Sequence, residues 1–203
     1  MQTHTRFKTS AVDASRFPII PYGGGAPEIA FLGRSNVGKS SLLNSLTAAK
    51  VAHVSNTPGR TQTINFYEVF KSKPEPETVP DLIFADLPGY GYARVPRAIV
   101  GEWPKFIEPY LSDRASLRLC ICLIDSNIPP QKSDQQLIEW LRSHGRELML
   151  VATKTDKLSG NKLKVQMTKL ADAYGMELLP YSVKSGKGRK ELWQAIWKSA
   201  TAP

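Results

Sequence analysis

The chain has 203 residues, 41% of them hydrophobic, and carries 27 Lys and Arg against 18 Asp and Glu, a formal charge of +9. This length and apolar content suit one large α/β domain, no stretch approaches the roughly 20 apolar residues that cross a bilayer, and two cysteines are too few for a disulfide framework. The positive charge attracts polyanions, nucleic acid among them, although a solvated basic surface explains it equally well.

The first 25 residues form a polar N-terminal segment ahead of a single domain expected over 26–200. Arg6 and Lys8 are followed by no apolar run of the secretory kind, so a cytoplasmic location is the default expectation. The first predicted strand, 29–32, leads into Gly33-Arg34-Ser35-Asn36-Val37-Gly38-Lys39-Ser40 and a predicted helix over 39–48. This octapeptide fits G-x-x-x-x-G-K-S/T in the strand, loop and helix setting that its chemistry requires. Gly33 and Gly38 let the backbone curl so that successive N–H groups from Arg34, Ser35, Asn36 and Val37 face inward, and the helix adds its positive end. An anion is expected there. Lys39 would neutralise β- and γ-phosphates, and the Ser40 hydroxyl is a hard oxygen ligand for Mg²⁺.

Next comes Thr57-Pro58-Gly59-Arg60-Thr61-Gln62-Thr63, ahead of a strand predicted over 64–70. Gly59 to Thr63 are assigned to the nucleotide site, with Thr61 as the second Mg²⁺ ligand and Thr63 as its alternative. Lys73-Pro74-Glu75-Pro76-Glu77 reads as an exposed hairpin loop before the strand 82–85, which runs into Asp86-Leu87-Pro88-Gly89. Asp86 then stands at the carboxyl edge of an open sheet, where it can support the metal, and the Gly89 N–H can approach a γ-phosphate unhindered. A helix is predicted over 97–111 and a strand over 117–124, in which Cys120 and Cys122 share one face as buried thiols. The helix 132–143 carries Leu137, Trp140 and Leu141 as a core-facing stripe.

The strand 147–152 runs into Thr153-Lys154-Thr155-Asp156, and after a helix over 161–174 the strand 177–179 leads to Tyr181-Ser182-Val183-Lys184 and a last helix over 189–199. Asp156 would accept hydrogen bonds from guanine N1–H and the exocyclic amine, a pairing adenine cannot reproduce because its N1 is an acceptor. The stem of Lys154 would lie along the ring, with Ser182 and the Val183 backbone closing the pocket. The alternation of strands and helices predicts a P-loop NTPase three-layer sandwich: a mostly parallel sheet, helices on both faces and one antiparallel strand.

With G-R-S-N-V-G-K-S, T-P-G-R-T-Q-T, D-L-P-G-Y-G-Y-A, T-K-T-D and Y-S-V-K in this order, the chain resembles the EngB (YihA/YsxC) family of bacterial GTPases, in the TrmE-Era-EngA-EngB-septin-like superfamily, over nearly its whole length. The second and third segments are more specific than the P-loop, and Thr153, where many GTPases have Asn, is no departure from that family. The resemblance implies a monomeric cytoplasmic GTPase that binds GTP and GDP with Mg²⁺ and has no membrane partner. It also implies action in late assembly of the large ribosomal subunit, on the subunit or its precursor, and a need for the protein in normal growth, cell division and septation.

Many GTPases place a Gln shortly after D-x-x-G to orient water, whereas Gly89 is followed here by Tyr90, Gly91 and Tyr92, so slow intrinsic hydrolysis is expected. Acceleration then comes from a partner, a cation or ordered backbone groups. Asn36 stands where related potassium-activated GTPases use an Asn to help hold K⁺, which sets it beside Lys39 and Thr61 as a candidate catalytic residue and makes K⁺ a candidate second cation; the alternative is that Asn36 only shapes the loop. Arg60 and Arg94 are candidates for transition-state charge stabilisation and better ones for RNA contact. Two competing readings are a P-loop kinase acting on a small acceptor, in which Asp156 has no evident role, and a binding module whose hydrolysis is vestigial.

Overall fold

The computed structural model describes residues 3–19, 25–52, 63–90 and 105–201. Seven strands are found among them: β1 (His4–Ala11), β2 (Glu28–Gly33), β3 (Ile64–Phe70), β4 (Leu82–Asp86), β5 (Leu117–Asp125), β6 (Leu148–Thr153) and β7 (Leu178–Pro180). The α-helices are α1 (Lys39–Thr47), α2 (Ile107–Asp113), α3 (Lys132–Ser143), α4 (Gly160–Tyr174) and α5 (Arg189–Ala200). The sheet order is β1-β3-β4-β2-β5-β6-β7. Only β3 runs against its neighbours; the pairings from β4 through β7 are all parallel. This is the expected sandwich with one antiparallel strand. Of the helix predicted over 97–111, residues 97–104 lie outside the described chain, and α2 extends two residues past its expected end.

The period-2 geometry of the strands sorts their side chains into two cores. Ile29 and Phe31 of β2, Leu82 and Phe84 of β4, and Leu119, Ile121 and Leu123 of β5 pack with Leu42, Leu43 and Leu46 of α1 and Leu192, Trp193 and Ile196 of α5. The alternate residues, Ala30, Leu32, Ile83, Ala85, Cys120, Cys122 and Ile124, pack with Ile107, Tyr110 and Leu111 of α2, Leu137, Ile138 and Leu141 of α3, and Leu170 and Tyr174 of α4. Both faces are therefore covered, which is why the central strands read as continuous apolar runs. Both cysteines are free and buried, and burial pushes the Cys120 thiol up to about 12, so it is an inert core group.

The strand β1 has no counterpart in the sequence reading. It pairs antiparallel with β3, with a register irregularity between Phe7 and Thr9. Charge rather than apolar periodicity fastens it: Arg6 Nε and Lys8 Nζ each donate to the Glu68 carboxylate of β3 at 2.5 Å. Burial works to raise the Glu68 pKa, but the bonds from Lys8 and Arg6 outweigh it and hold the carboxyl below its ordinary value.

The parallel register brings the carboxyl ends of the central strands to one edge. Phe31 stands opposite Asp86, Gly33 opposite Leu123, Asp125 opposite Thr153, and Ala152 opposite Pro180. The loops leaving β2, β4, β6 and β7, which hold four of the five predicted motifs, therefore emerge side by side. Among the described residues no helix is long and apolar enough to cross a membrane.

Candidate functional site

The loop leaving β2 ends at Gly38, whose φ of 104° lies where an L side chain is strained, and α1 begins at the next residue. Gly38 O accepts from Leu42 N at 2.8 Å, so helical bonding starts at the loop itself and the free N–H groups of the first turn point out of the sheet edge. Asn36 is exposed and also left-handed, with φ of 64°, a conformation Asn adopts at low cost. Lys39 Nζ donates to the Asp86 carboxylate, joining the P-loop to the end of β4 across two nearly buried charged side chains.

The segment after Asp86 lies directly against this loop. Ser35 N donates to Tyr90 O at 3.0 Å, and Tyr90 N to Gly33 O at 3.4 Å. Gly89 is exposed between them, and a Cβ there would meet Ser35 Oγ at 2.9 Å and Ser35 N at 3.0 Å. Glycine suits the close approach of two backbones here, and a methyl group would press on the Ser35 backbone. Leu87 and Pro88 are buried beneath it.

The two loops from β6 and β7 are tied together and to the P-loop. Thr153 Oγ1 donates to Val37 O at 2.7 Å, giving a physical reason for a hydroxyl at this position. Lys154, with φ of 58°, sends Nζ to Asn36 O at 2.7 Å and to Asp125 Oδ2 at 2.7 Å. Thr155 is buried and its hydroxyl donates to Tyr181 O at 3.0 Å, while Tyr181 N donates to Ala152 O at 2.8 Å. Ser182 Oγ donates to Asp156 Oδ1 at 2.7 Å, a bond that holds the exposed Asp156 carboxyl below its ordinary pKa and so keeps it an acceptor. The Val183 side chain is 47% exposed at the lip of the same loop.

Gly33 to Ser40, Asp86 to Gly89, Thr153 to Asp156 and Tyr181 to Val183 are thus brought to one edge. Gly59, Arg60, Thr61 and Gln62, together with Arg94, lie outside the described residues. Thr63 is described immediately before β3, its hydroxyl 3.4 Å from Asn65 Oδ1.

Asp125, which the sequence reading passed over, belongs to this group. Burial tends to raise its pKa, but the bond from Lys154 and two from Asn127 hold it below the ordinary value, so it remains a carboxylate able to restrain Lys154. Asn127 Nδ2 also reaches Lys154 O at 3.2 Å. Asp125→Ala is expected to weaken GTP and GDP binding equally, by about tenfold, the scale of a hydrogen bond to a charged group. Fluorescence titration with labelled nucleotides measures this, and unchanged affinities would mean that Lys154 is positioned by Asn36 O alone.

The sequence model of the family described as 50S ribosome-binding GTPase matches residues 28–154. A relative from Koribacter versatilis, described as a probable GTP-binding protein EngB, is 52% identical over 202 residues, covering 98% of this chain and 96% of the relative. Another of the same description, from Acidobacterium capsulatum, is 54% identical over 201 residues, covering 98% and 92%. A crystal structure of a probable GTP-binding protein EngB superposes with a TM-score of 0.63 at 23% identity, covering 85% of this chain and 98% of that one, a likeness of fold. With a P-loop, an Asp86-to-Gly89 segment and the loops after β6 and β7 meeting at one sheet edge, and with relatives matched over nearly their full length, the chain belongs to the EngB family of GTP-binding proteins and is a GTPase.

Proposed function

We propose that this GTPase is a two-state switch that binds the large ribosomal subunit or its precursor and acts in that subunit's assembly. The observation that carries the reading is the stacking of Gly89 on Ser35: the segment that would sense a γ-phosphate rests on the loop that would hold the β-phosphate. A site built this way supports a protein whose surface differs between GTP and GDP states. In this reading the Gly33-to-Ser40 backbone cradles the phosphates, with Lys39 against the β- and γ-oxygens, and Asp156, Lys154, Ser182 and the Val183 backbone read the guanine. The +9 charge favours an RNA-rich partner, and the family description names the 50S particle. The protein acts as a cytoplasmic monomer, and its need in septation follows from the supply of large subunits.

The donor set fits Mg²⁺. Ser40 and Asp86 offer a hydroxyl and a carboxylate, hard oxygens only, and among the described residues no group of three His, Cys, Asp or Glu could make an all-protein cage. Mg²⁺ in phosphate-transfer sites has this character, taking few protein ligands and completing its shell from phosphates and water. Ser40 would hold it directly, Asp86 would support it and Thr61 would join when its loop closes. The ion supplies charge neutralisation at the β- and γ-oxygens.

For turnover, the left-handed Asn36 lends its carbonyl to Lys154, and its exposed side chain is the group that would help hold K⁺, which would add to the charge stabilisation. Hydrolysis measured in K⁺ and in Na⁺ buffer, with and without large subunits, is expected to be faster in K⁺; equal rates throughout would remove this cation from the account.

Co-sedimentation with separated ribosomal subunits tests the switch. Retention on the large subunit with a non-hydrolysable GTP analogue, lost with GDP, is expected at both of two salt concentrations. Equal, salt-sensitive retention on both subunits in either nucleotide state would reduce the positive charge to non-specific attraction and sink the proposal.

A further inference from the structure

Behind Gly89 the chain is fastened to a second layer that none of the nucleotide motifs includes. Tyr90 is buried in the core below the sheet edge, and its hydroxyl donates to Asp134 Oδ1 in the first turn of α3 at 3.0 Å. Asp134 is 2% exposed and accepts at its other oxygen from the Tyr174 hydroxyl of α4 at 3.3 Å. The Tyr174 oxygen in turn accepts from Gln131 N at 3.0 Å, and Gln131 Oε1 accepts from Arg34 Nη1 at 3.1 Å. The chain of bonds runs from the second residue of the P-loop, through the start of α3 and the end of α4, to the residue following Gly89. It closes into a ring, because Tyr90 and Arg34 also meet as an isolated parallel bridge.

We infer that Asp134 is a positioning residue for the γ-phosphate sensor: by fixing the Tyr90 hydroxyl it holds the Gly89 peptide against Ser35. The inference rests on the reading that the Gly89 N–H meets the γ-phosphate. Its physical basis is that a glycine imposes no conformation of its own, so the aim of its N–H is set by its neighbours. On one side Pro88 restricts the chain, and on the other the buried phenol of Tyr90 is tied to a helix. Burial raises the Asp134 pKa to about 6, opposed by the Tyr90 bond, the nearby Arg34 charge and the Tyr174 bond, so near pH 7.5 the carboxylate is ionised and accepts both phenols. A buried polar network in which Asp134 accepts at both oxygens favours one arrangement of the groups that it links, although the buried Arg34 Nε at its far end has no hydrogen-bond partner.

The test compares affinities for a non-hydrolysable GTP analogue and for GDP at pH 7.5. GDP lacks the γ-phosphate, so a misdirected Gly89 lowers the ratio in favour of the GTP analogue, whereas a purely structural network would lower the melting temperature and leave the ratio intact. Tyr90→Phe, which keeps the ring in the core, and Asp134→Ala are each expected to lower the ratio by about tenfold, the scale of a hydrogen bond to a buried charge. The double variant should lose no more than either single one, as expected for two partners in one interaction. Asp134→Asn, which keeps an oxygen to accept from Tyr90, should stay nearer the native ratio. Gly89→Ala separates the inference from the reading beneath it. If Gly89→Ala lowers the ratio while Tyr90→Phe leaves it native, Asp134 is structural only and the inference is overturned. If Gly89→Ala leaves the ratio native, the γ-phosphate role of Gly89 fails and the inference falls with it. Should Asp134→Ala not fold, Tyr90→Phe, one oxygen smaller than the native side chain, decides alone.

Discussion

Replacing Lys39 with Ala is expected to lower GTP affinity by about 100-fold or more, through the loss of a charge-assisted contact to the β- and γ-phosphates that Mg²⁺ alone would not replace. The same change has a second consequence that must be kept apart from the first. Lys39 pairs with Asp86, whose side chain is almost wholly buried, and removing one partner of such a pair leaves the other charge uncompensated. That destabilises a fold by about 3–5 kcal/mol. A protein with a stability of about 10 kcal/mol, the middle of the usual range, stays folded after the loss but with a lower melting temperature. The double variant Lys39→Ala/Asp86→Asn removes both charges and should recover most of the melting temperature while recovering none of the GTP affinity. Thermal melts beside equilibrium nucleotide titration separate the two effects. Recovery of GTP binding in the double variant would show that Lys39 acts only by neutralising Asp86.

Asp156→Asn should exchange one base for another. The carboxylate presents two acceptors, and Ser182 satisfies only part of one oxygen. Guanine offers two donors, N1–H and the exocyclic amine, that match what remains. An amide in its place presents one acceptor and one donor. The donor then faces the guanine amine, and a like-to-like contact in a recognition site costs about 100-fold or more in affinity. Xanthine carries a carbonyl where guanine has the amine, so the amide's donor and acceptor both find partners. The variant should bind xanthosine triphosphate better than GTP, reversing the native order. Because Asp156 is exposed and outside both cores, its melting temperature should not change. Competition titration with the two triphosphates reads the reversal. A variant that keeps its preference for GTP would place guanine recognition elsewhere.

These residues were legible in the sequence because each lies in a short motif at the end of an apolar strand, where the spacing itself encodes the turn. Central strands buried on both faces announce themselves as apolar runs, and β2, β4, β5 and β6 were found within two residues at each end for that reason. β1 was not. Of its residues only Ala11 is buried; an edge strand fastened by Arg6 and Lys8 to a single Glu68 has no apolar period to detect. Asp125 was hidden differently: an Asp before Ser126-Asn127 at the end of a strand reads as a turn former, and only the left-handed turn at Lys154 brings an ammonium to it. Asp134 did leave a signal. It falls three and four residues before Leu137 and Ile138, on the buried stripe of α3, where an acidic residue calls for a partner. The partners, Tyr90 and Tyr174, are 44 and 40 residues away in sequence, a distance that no local pattern spans.

Loops from four strands are expected to make one site for a guanine nucleotide. Calorimetric titration of the native protein with GTP, GDP and ATP in the presence of Mg²⁺ tests it most directly. GTP and GDP are expected to bind, and ATP to bind about 1,000-fold more weakly or not at all, because adenine leaves the Asp156 carboxylate facing an acceptor. ATP binding as tightly as GTP would contradict the assignment of Asp156 and return the chain to the class of P-loop proteins that do not read the base.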